Sequence, residues 1–253
     1  MLIDSHCHLN RLKDLDLDQI VQNAKSRQIE KILSVAVSLE EVSELKEIAQ
    51  KYDNVFYSVG KHPSEFEGED STVEKLIELS NDKKCVALGE TGLDYHYNDE
   101  STFNDQKRRF IAHIEAAKVT KKPVIVHTRA AREDTINILK AHANHGVKGV
   151  LHCFTETWEL AKFALDLGFY ISFSGIITFK NAEDLRDIAK KLPLDRILVE
   201  TDAPYLTPVP FRGKPNYPEY VYYVAEFLAN HLSIPFEEFA RQTKENTNCL
   251  FFD

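Results

Sequence analysis

The sequence predicts an α/β protein, a single-domain (β/α)8 TIM barrel over residues 1–253, on three observations. Eight short apolar segments alternate with amphipathic segments along the chain. The apolar segments are rich in β-branched residues and almost uninterrupted by polar ones, as is typical of parallel strands covered on both faces. Eight such units in 253 residues match the size of a closed barrel. A doubly wound open sheet is the alternative, but no Gly-x-Gly-x-x-Gly follows the first strand.

The predicted elements follow from the hydrophobic pattern in chain order. The first strand begins at Leu2 and ends in His6, Cys7 and His8. Further continuous apolar runs predict strands over residues 31–37, 55–60, 85–89, 123–127, 149–152, 169–173 and 196–200. Apolar residues spaced three and four apart predict helices over residues 18–28, 40–51, 72–80, 103–121, 133–145, 158–167, 182–191, 219–232 and 236–250.

Composition narrows the class of protein. The net charge of −9 argues against a binder that covers nucleic acid with its whole surface, so any contact with a polyanion must be local. No apolar run is long enough to cross a bilayer, and the N-terminus lacks the pattern of a signal peptide. The four cysteines have no C-x-x-C spacing and predict reduced thiols. We therefore expect a cytoplasmic protein with no membrane contact and no obligate protein partner.

Histidines and carboxylates cluster at the carboxyl ends of the predicted strands, where barrel enzymes have their active sites. They follow six different strands and comprise His6, His8, His62, Glu90, His127, His152 and Asp202. His6 and His8 alternate onto one face of the first strand. The histidines within helices (His113, His142, His145 and His231) are interpreted as surface or interhelical residues, and His96 stays ambiguous. The pattern predicts one site rather than scattered structural histidines.

The side chains of this cluster are nitrogen and oxygen ligands. Imidazole and carboxylate groups suit divalent Mg, Mn, Zn, Co or Ni, and the set exceeds the needs of one tetrahedral ion. We therefore expect two divalent metal ions that share a carboxylate, about 3.5–4 Å apart. Cys7 and Cys153 alternate with proposed ligands, so both are expected to face the helix layer.

Five motifs resemble the TatD-family metal-dependent deoxyribonucleases, which belong to the amidohydrolase-like barrels. They are Ser5-His-Cys-His8, Gly89-Glu-Thr-Gly-Leu-Asp94, Val126-His-Thr-Arg129, Leu151-His-Cys-Phe154 and Val199-Glu-Thr-Asp-Ala-Pro-Tyr205. The resemblance runs along the whole chain in order. It implies that His6, His8 and Asp202 hold one metal, that His127 and His152 hold the second, and that Glu90 bridges them.

The resemblance also implies hydrolysis of DNA phosphodiester bonds by a metal-activated water, as a 3′-5′ exonuclease that prefers single-stranded ends. RNA is a further possible substrate. The alternative on the same metals is a D-aminoacyl-tRNA deacylase or another amidohydrolase-type ester or amide hydrolase. A metal-dependent binding protein without turnover is a third hypothesis, and the complete ligand set argues against it.

Catalytic and substrate-binding roles can be assigned to further polar residues near the strand ends. Asp202 is the candidate general base, with Glu90 as bridging carboxylate. Glu200 is expected on the same face, to orient water or support a ligating histidine, with a buried structural carboxylate as the alternative. Asp94 is expected to support Glu90 or to contact substrate. The expected phosphate-binding rim consists of Lys61, His62, Arg129 and Arg212, together with Arg132, Lys180 and Lys214. Lys61 replaces the small apolar residue usual in the family.

Overall fold

Eight parallel strands form one sheet in the order of the chain. The computed structural model describes residues 1–143 and 146–253. The strands are β1 Leu2–Cys7, β2 Ile29–Ser34, β3 Val55–Val59, β4 Cys85–Asp94, β5 Val124–Arg129, β6 Gly149–Leu151, β7 Tyr170–Phe173 and β8 Ile197–Val199. Each pairs in parallel with the next strand along the chain. This topology confirms the predicted (β/α)8 barrel.

The last strand meets the first and closes the ring. The amide of His8 donates to the carbonyl of Ala203 at 2.7 Å, and the amide of Asp202 donates to the carbonyl of His6 at 2.9 Å. The buried Asp4 carboxylate accepts from both the amide and the hydroxyl of Thr201, at 2.8 and 2.6 Å. The segments that carry His6, His8 and Asp202 are therefore fastened to one another beside the seam.

Helices surround the sheet and follow the predicted pattern. Within the described residues they are α1 Leu17–Ser26, α2 Val42–Lys51, α3 Val73–Leu79, α4 Phe103–Thr120, α5 Arg132–His142, α6 Trp158–Asp166, α7 Glu183–Ala189, α8 Val221–His231 and α9 Phe236–Phe251. Short 3-10 turns lie at Leu9–Arg11, Glu100–Thr102, Gly175–Thr178, Leu194–Arg196 and Pro218–Tyr220. Side-chain caps set the starts of α1 and α3, where Asp16 and Thr72 accept backbone amides. None of the described helices combines the length and apolar character needed to cross a bilayer.

The core has two layers. Inside the barrel, Leu33, Ile125 and Leu198 are fully buried in one cluster, and Leu250 from the end of α9 packs into it. Outside, the apolar stripes of the helices pack against the strands, as with Ile20 of α1. This rigid scaffold leaves the carboxyl ends of the strands free to present polar side chains.

Several predicted boundaries differ from the structure. Strand β4 continues from Cys85 to Asp94 rather than stopping at residue 89, because residues 91–94 pair with β5. Helix α5 ends at His142, and the predicted site of His145 lies outside the described residues. Strand β6 ends at Leu151, so the alternation that was used to place Cys153 does not extend to that residue.

Candidate metal centre

Six barrel positions bring the predicted cluster together at the carboxyl ends of the strands. His6 lies at the end of β1 with His8 directly after it, Glu90 lies within β4, and His127 lies within β5. The others lie in the loops that follow β3, β6 and β8, namely His62, His152 and Asp202. Every residue of the expected ligand set thus points into one site.

Glu90 is the centre of this site and is buried. Its Oε1 lies 2.8 Å from His152 Nε2, 3.1 Å from His127 Nδ1 and 3.3 Å from His62 Nε2. Its Oε2 lies 3.4 Å from His6 Nε2. One carboxylate therefore contacts four imidazoles from four different strand ends, which is the position expected of a bridging ligand.

Asp202 forms the second carboxylate of the site, beside the barrel seam. Its Oδ1 lies 3.3 Å from His8 Nε2 and 3.6 Å from His6 Nε2. The backbone of Asp202 has φ +59°, a left-handed conformation that Asp tolerates better than most residues. This turn directs the carboxylate back toward His6 and His8, rather than along the direction of β8.

Contacts on the side away from the centre orient the rings of two histidines. His8 Nδ1 donates to the carbonyl of Val35 at 2.9 Å, which leaves Nε2 facing Asp202. His152 Nδ1 lies 3.3 Å from Glu200 Oε1 on the side of its ring away from Glu90. Such partners on the remote nitrogen hold a metal-binding imidazole in one tautomer and orientation. Glu200 is fully buried, in the position of a residue that supports a histidine.

The donor set suits divalent cations. Within the described residues, three groups have ligand atoms within 4.8 Å of one another: His6, His152 and Asp202; His6, His8 and Glu90; and His62, Glu90 and His127. Both ring nitrogens of His6 are buried and have no hydrogen-bond partner among the described residues, although Nε2 lies near two carboxylates. A buried imidazole without a partner is costly, and a cation between His6 and these carboxylates would satisfy it.

The electrostatics of the site also favour positive charge at its centre. Burial alone would raise the pKa of Glu90, but His152, His62 and His127 hold it well below its usual range. Burial opposes a raised pKa at His152, yet Glu90 and Glu200 hold the pKa of that imidazole well above its ordinary value. Burial would also raise the pKa of Asp202, but His8 and His6 lower it below its ordinary value. These directions favour the ionised form of both carboxylates, which is the form that binds a cation.

A cleft of about 770 Å³ opens above the site. Its lining includes Glu90, Asp202 and the histidines, and its two guanidinium groups among the described residues belong to Arg11 and Arg129. Arg129 lies over the ring of Tyr97 at 4.4 Å, and Tyr205 lies on the opposite wall beside His8. Both tyrosines are substantially exposed, at 69% for Tyr97 and 49% for Tyr205. The cleft combines cations with accessible aromatic faces.

Arg11 was missed by the sequence analysis. It lies in the 3-10 turn directly after β1, and its guanidinium donates to Glu41 at 2.5 Å. Its position three residues after His8, at a strand end, is the one signal in the sequence that would have marked it. Tyr97 was also missed. It follows the end of β4 by only three residues, and that position is the signal that would have marked it.

Lys61 does not belong to the phosphate-binding rim, and that prediction is wrong. Its side chain is buried, and the ammonium donates to the carbonyls of Glu67 at 2.6 Å and Glu69 at 3.0 Å. The loop after β3 folds over the lysine, so its charge is used inside the protein. The prediction used only the position of Lys61 beside the mouth, and the path of the following loop could not be read from the sequence.

Asp94 and Arg212 also differ from their predicted roles. Asp94 is buried, and its Oδ2 lies 3.0 Å from His127 Nε2, so it supports His127 rather than Glu90 or a substrate. Arg212 is exposed, lies 3.7 Å from the ring of Phe179, and is not part of the cleft lining. Neither Arg132, Lys180 nor Lys214 lines the cleft. His62 and Arg129, by contrast, line the cleft.

The two cysteines that lie next to proposed ligands in the sequence have different environments. Cys7 is fully buried against the carbonyl of Leu33, as expected. Cys153 lines the cleft instead, with its Sγ 3.2 Å from the hydroxyl of Ser174. Its backbone has φ +43°, so the chain has left the extended conformation that the alternation rule requires.

The whole chain matches one protein family. The model for the TatD-related DNase family matches residues 3–252. The chain is 48% identical over 254 residues to the uncharacterized metal-dependent hydrolase YcfH of Escherichia coli K12, covering 99% of this chain and 95% of that protein. It is 43% identical over 255 residues to the uncharacterized metal-dependent hydrolase YabD of Bacillus subtilis, with 99% of each covered.

A solved structure agrees with this relationship. The crystal structure of YjjV, a TatD homologue from Escherichia coli K12, superposes with a TM-score of 0.92 at 31% identity. The superposition covers 99% of this chain and 97% of YjjV. The chain belongs to the TatD-related DNase family.

Proposed function

We propose that this chain is a divalent-metal-dependent phosphodiesterase that shortens single-stranded DNA from its ends in the 3′-5′ direction. It would act as one catalytic domain over residues 1–253, with two divalent ions at the centre. The four cysteines are all free, which supports a reducing, cytoplasmic setting. The family name and the printed names of the relatives support metal-dependent hydrolysis.

The observation that carries the proposal is the convergence of four imidazoles on Glu90, with Asp202 beside His6 and His8. His6 and His8 with Asp202 would hold one ion, and His127 and His152 the other, with Glu90 between them. Ions held in this way supply Lewis-acid stabilisation of phosphoryl charge and lower the pKa of water. Loss of any of these ligands leaves an incomplete site.

The chain's own residues supply orientation and proton transfer. Asp202 lines the cleft and can take a proton from an attacking water, while His8 and His6 hold its carboxylate in place. Glu200 and Asp94 act on the rings of His152 and His127 from behind. Arg129 and Arg11 offer guanidinium groups to the phosphates that flank the scissile bond.

The shape and lining of the cleft favour a single strand. The metal-binding side chains lie at the floor of a concave site, beneath the loops that carry Tyr97 and Tyr205. A paired base would have to leave its stack to bring a phosphate to that floor, whereas an unpaired end avoids this cost. Exposed tyrosine faces can stack unpaired bases without selecting a sequence. The proposal therefore specifies ends and single strands rather than intact duplex.

The test compares substrates on one metal-loaded preparation. The protein is stripped with a chelator and reloaded separately with Mg, Mn, Zn, Co or Ni. Each preparation is assayed on single-stranded DNA labelled at either end, D-aminoacyl-tRNA and a panel of amides. We expect stepwise shortening of the 5′-labelled strand, which retains its label while the 3′ end is removed. Faster turnover of D-aminoacyl-tRNA or an amide than of DNA would assign the site to the alternative chemistry.

A further inference from the structure

The loop after β3 places His62 beside Glu90, and the tautomer of the ring decides what His62 can do there. His62 Nε2 lies 3.3 Å from Glu90 Oε1, and the ring groups with Glu90 and His127 as a candidate metal-binding set. The other ring nitrogen decides whether Nε2 has a lone pair to offer. A neutral imidazole carries one proton, and the hydrogen bond made by one nitrogen sets the state of the other.

The backbone amide of Ser64 donates to His62 Nδ1 at 3.1 Å. Nδ1 is therefore an acceptor, and the proton of the neutral ring lies on Nε2, which faces the site. His8 is the opposite case, because its Nδ1 donates to a carbonyl and leaves the Nε2 lone pair free. The two rings therefore present different groups to the site: His62 an N–H at Nε2, and His8 a lone pair at Nε2.

Two buried cations hold the loop that fixes this arrangement. Arg109 donates to the carbonyl of Pro63 at 3.0 Å and to the carbonyl of Glu65, while Lys61 donates to the carbonyls of Glu67 and Glu69. Alternate carbonyls from residue 63 to residue 69 are thereby bound from inside the loop. The amide of Lys61 in turn donates to Nε2 of the fully buried His113 at 3.2 Å.

The base of the loop is fastened at His62 itself. Its amide donates to the carbonyl of Val37 at 2.8 Å, and its carbonyl accepts from the amide of Glu65 at 3.0 Å. The side chain is 21% exposed and lines the cleft with Ser64 and Glu65. The ring is therefore held in place while its Nε2–H stays accessible to a bound molecule.

We infer that His62 is a hydrogen-bond donor to the substrate and not a metal ligand. Its Nε2–H would donate to a phosphoryl oxygen held at the Glu90 centre, where negative charge grows as the scissile bond breaks. The substrate half of this inference rests on the proposed phosphodiesterase function; the position of the ring proton does not. Lys61 and Arg109 act as positioning residues through the loop.

Three substitutions separate a donor from a ligand. His62→Gln keeps an N–H close to the place of Nε2, His62→Asn puts its amide close to the place of Nδ1, and His62→Ala removes both. Metal content of all three should equal that of the unchanged protein, whereas His152→Ala should lose metal. Turnover of a small phosphodiester should fall about 100-fold in the Ala and Asn variants, the loss typical of removing one donor to a developing oxyanion. The Gln variant should recover at least tenfold of that loss.

Ring-proton detection tests the inference without any substrate. The zinc-loaded protein, labelled with ¹⁵N in histidine, should show His62 protonated at Nε2 and unprotonated at Nδ1, with the signal assigned by its absence in His62→Gln. A proton on Nδ1, or a loss of metal in His62→Ala, would overturn the inference. If the unchanged protein hydrolyses no phosphodiester, the proposed function fails together with the substrate contact, and the ring-proton measurement still decides between donor and ligand. Equal turnover in all three variants and the unchanged protein would reject the substrate contact alone.

Discussion

Asp94 Oδ2 lies 3.0 Å from His127 Nε2, on the side of the ring that faces away from Glu90. Asp94 is itself held in place, because its Oδ1 accepts the amides of His96 and Tyr97 at 3.0 Å each. Burial opposes ionisation of Asp94, yet the bond to His127 lowers the pKa of this carboxyl to about 2. The ionised group therefore keeps the proton of His127 on Nε2 and the Nδ1 lone pair toward the centre.

Replacing Asp94 should weaken metal binding without removing a ligand. We expect Asp94→Ala to lower affinity for the metal at His127 by 10- to 100-fold, the usual effect of losing a partner of a ligating histidine. Asp94→Asn keeps an acceptor and should lose less. Titration of the stripped protein with zinc, followed by calorimetry, measures both. Equal affinity in the Ala variant and the unchanged protein would show that His127 is oriented by other contacts.

Asp4 should be needed for barrel closure. Its carboxyl accepts two hydrogen bonds from Thr201 across the seam, and it is fully buried. Asp4→Ala leaves buried donors of Thr201 without a partner, so we expect the free energy of unfolding to fall by about 2–4 kcal/mol. Thr201→Val keeps the amide contact with Asp4 but removes the hydroxyl, which also accepts the amide of Ala203 at 3.1 Å, and should cost about 1–2 kcal/mol. Urea denaturation of the metal-free proteins checks the order, and a smaller effect for Asp4→Ala than for Thr201→Val would contradict it.

Salt dependence should identify the cation that contacts phosphate. Each lost contact with a single strand reduces the slope of log affinity against log salt by about 0.7. Arg129→Ala should show this reduction for oligonucleotides, because Arg129 lines the cleft. Arg196→Ala is the matched control, since Arg196 precedes β8 and lies at the other end of the barrel. Equal slopes for Arg129→Ala and the control would remove Arg129 from the substrate path.

Lys61→Met should behave differently from Arg129→Ala. The lysine binds loop carbonyls rather than solvent, so its loss should leave the salt slope unchanged. It should instead free the loop of residues 62–70 and lower turnover of small and large phosphodiesters by the same factor. Parallel kinetics on a small diester and an oligonucleotide across a salt series distinguish these effects. A flatter slope in Lys61→Met would restore the lysine to the phosphate-binding surface.

Acid should destabilise the fold through His113. Burial lowers the pKa of His113 to about 4, from an ordinary value near 6.5. The unfolded chain therefore binds a proton that the folded chain does not between these two values, so stability contributed by the neutral ring is complete above pH 6.5. It is lost as the pH falls toward 4, by roughly 3 kcal/mol in total.

A variant isolates that contribution from the other histidines. His113→Gln can still accept the amide of Lys61 but cannot titrate in this range. Unfolding free energies of the metal-free proteins at pH 7.5, 6, 5 and 4.5 should show a smaller loss in the variant than in the unchanged protein. Parallel curves for the two proteins would mean that His113 does not titrate differently on unfolding.

The fold and the central cluster could be predicted from the sequence because both depend on short-range patterns. Alternating apolar strands and amphipathic helices specify the barrel, and polar residues at strand ends then meet at one face whatever the loops do. His6, Glu90 and His127 are such residues. The contact between Asp94 and His127 could not be predicted, because it depends on how far β4 continues beyond Glu90.

The loops around the cleft were harder to predict for a physical reason. A lysine beside a predicted mouth resembles a phosphate-binding residue in sequence, and only the path of the following loop shows that Lys61 is enclosed. Cys153 illustrates the same limit, since a left-handed backbone at one residue reverses the direction that alternation gives. Arg11 lies in a 3-10 turn, and its guanidinium is held by the side chain of Glu41, which the local sequence around Arg11 does not contain.

The most direct test of the account is metal reconstitution of Glu90→Gln beside the unchanged protein, measured as bound metal per chain and as shortening of 5′-labelled single-stranded DNA. The unchanged protein should lose activity on chelation and recover it when metal is returned, with two ions bound. Glu90→Gln should keep its circular-dichroism spectrum, bind fewer ions and remain at least 1,000-fold less active, about 4 kcal/mol of lost transition-state stabilisation. Full DNA shortening by the chelated protein, or by Glu90→Gln with unchanged metal content, would contradict the central role of this metal centre.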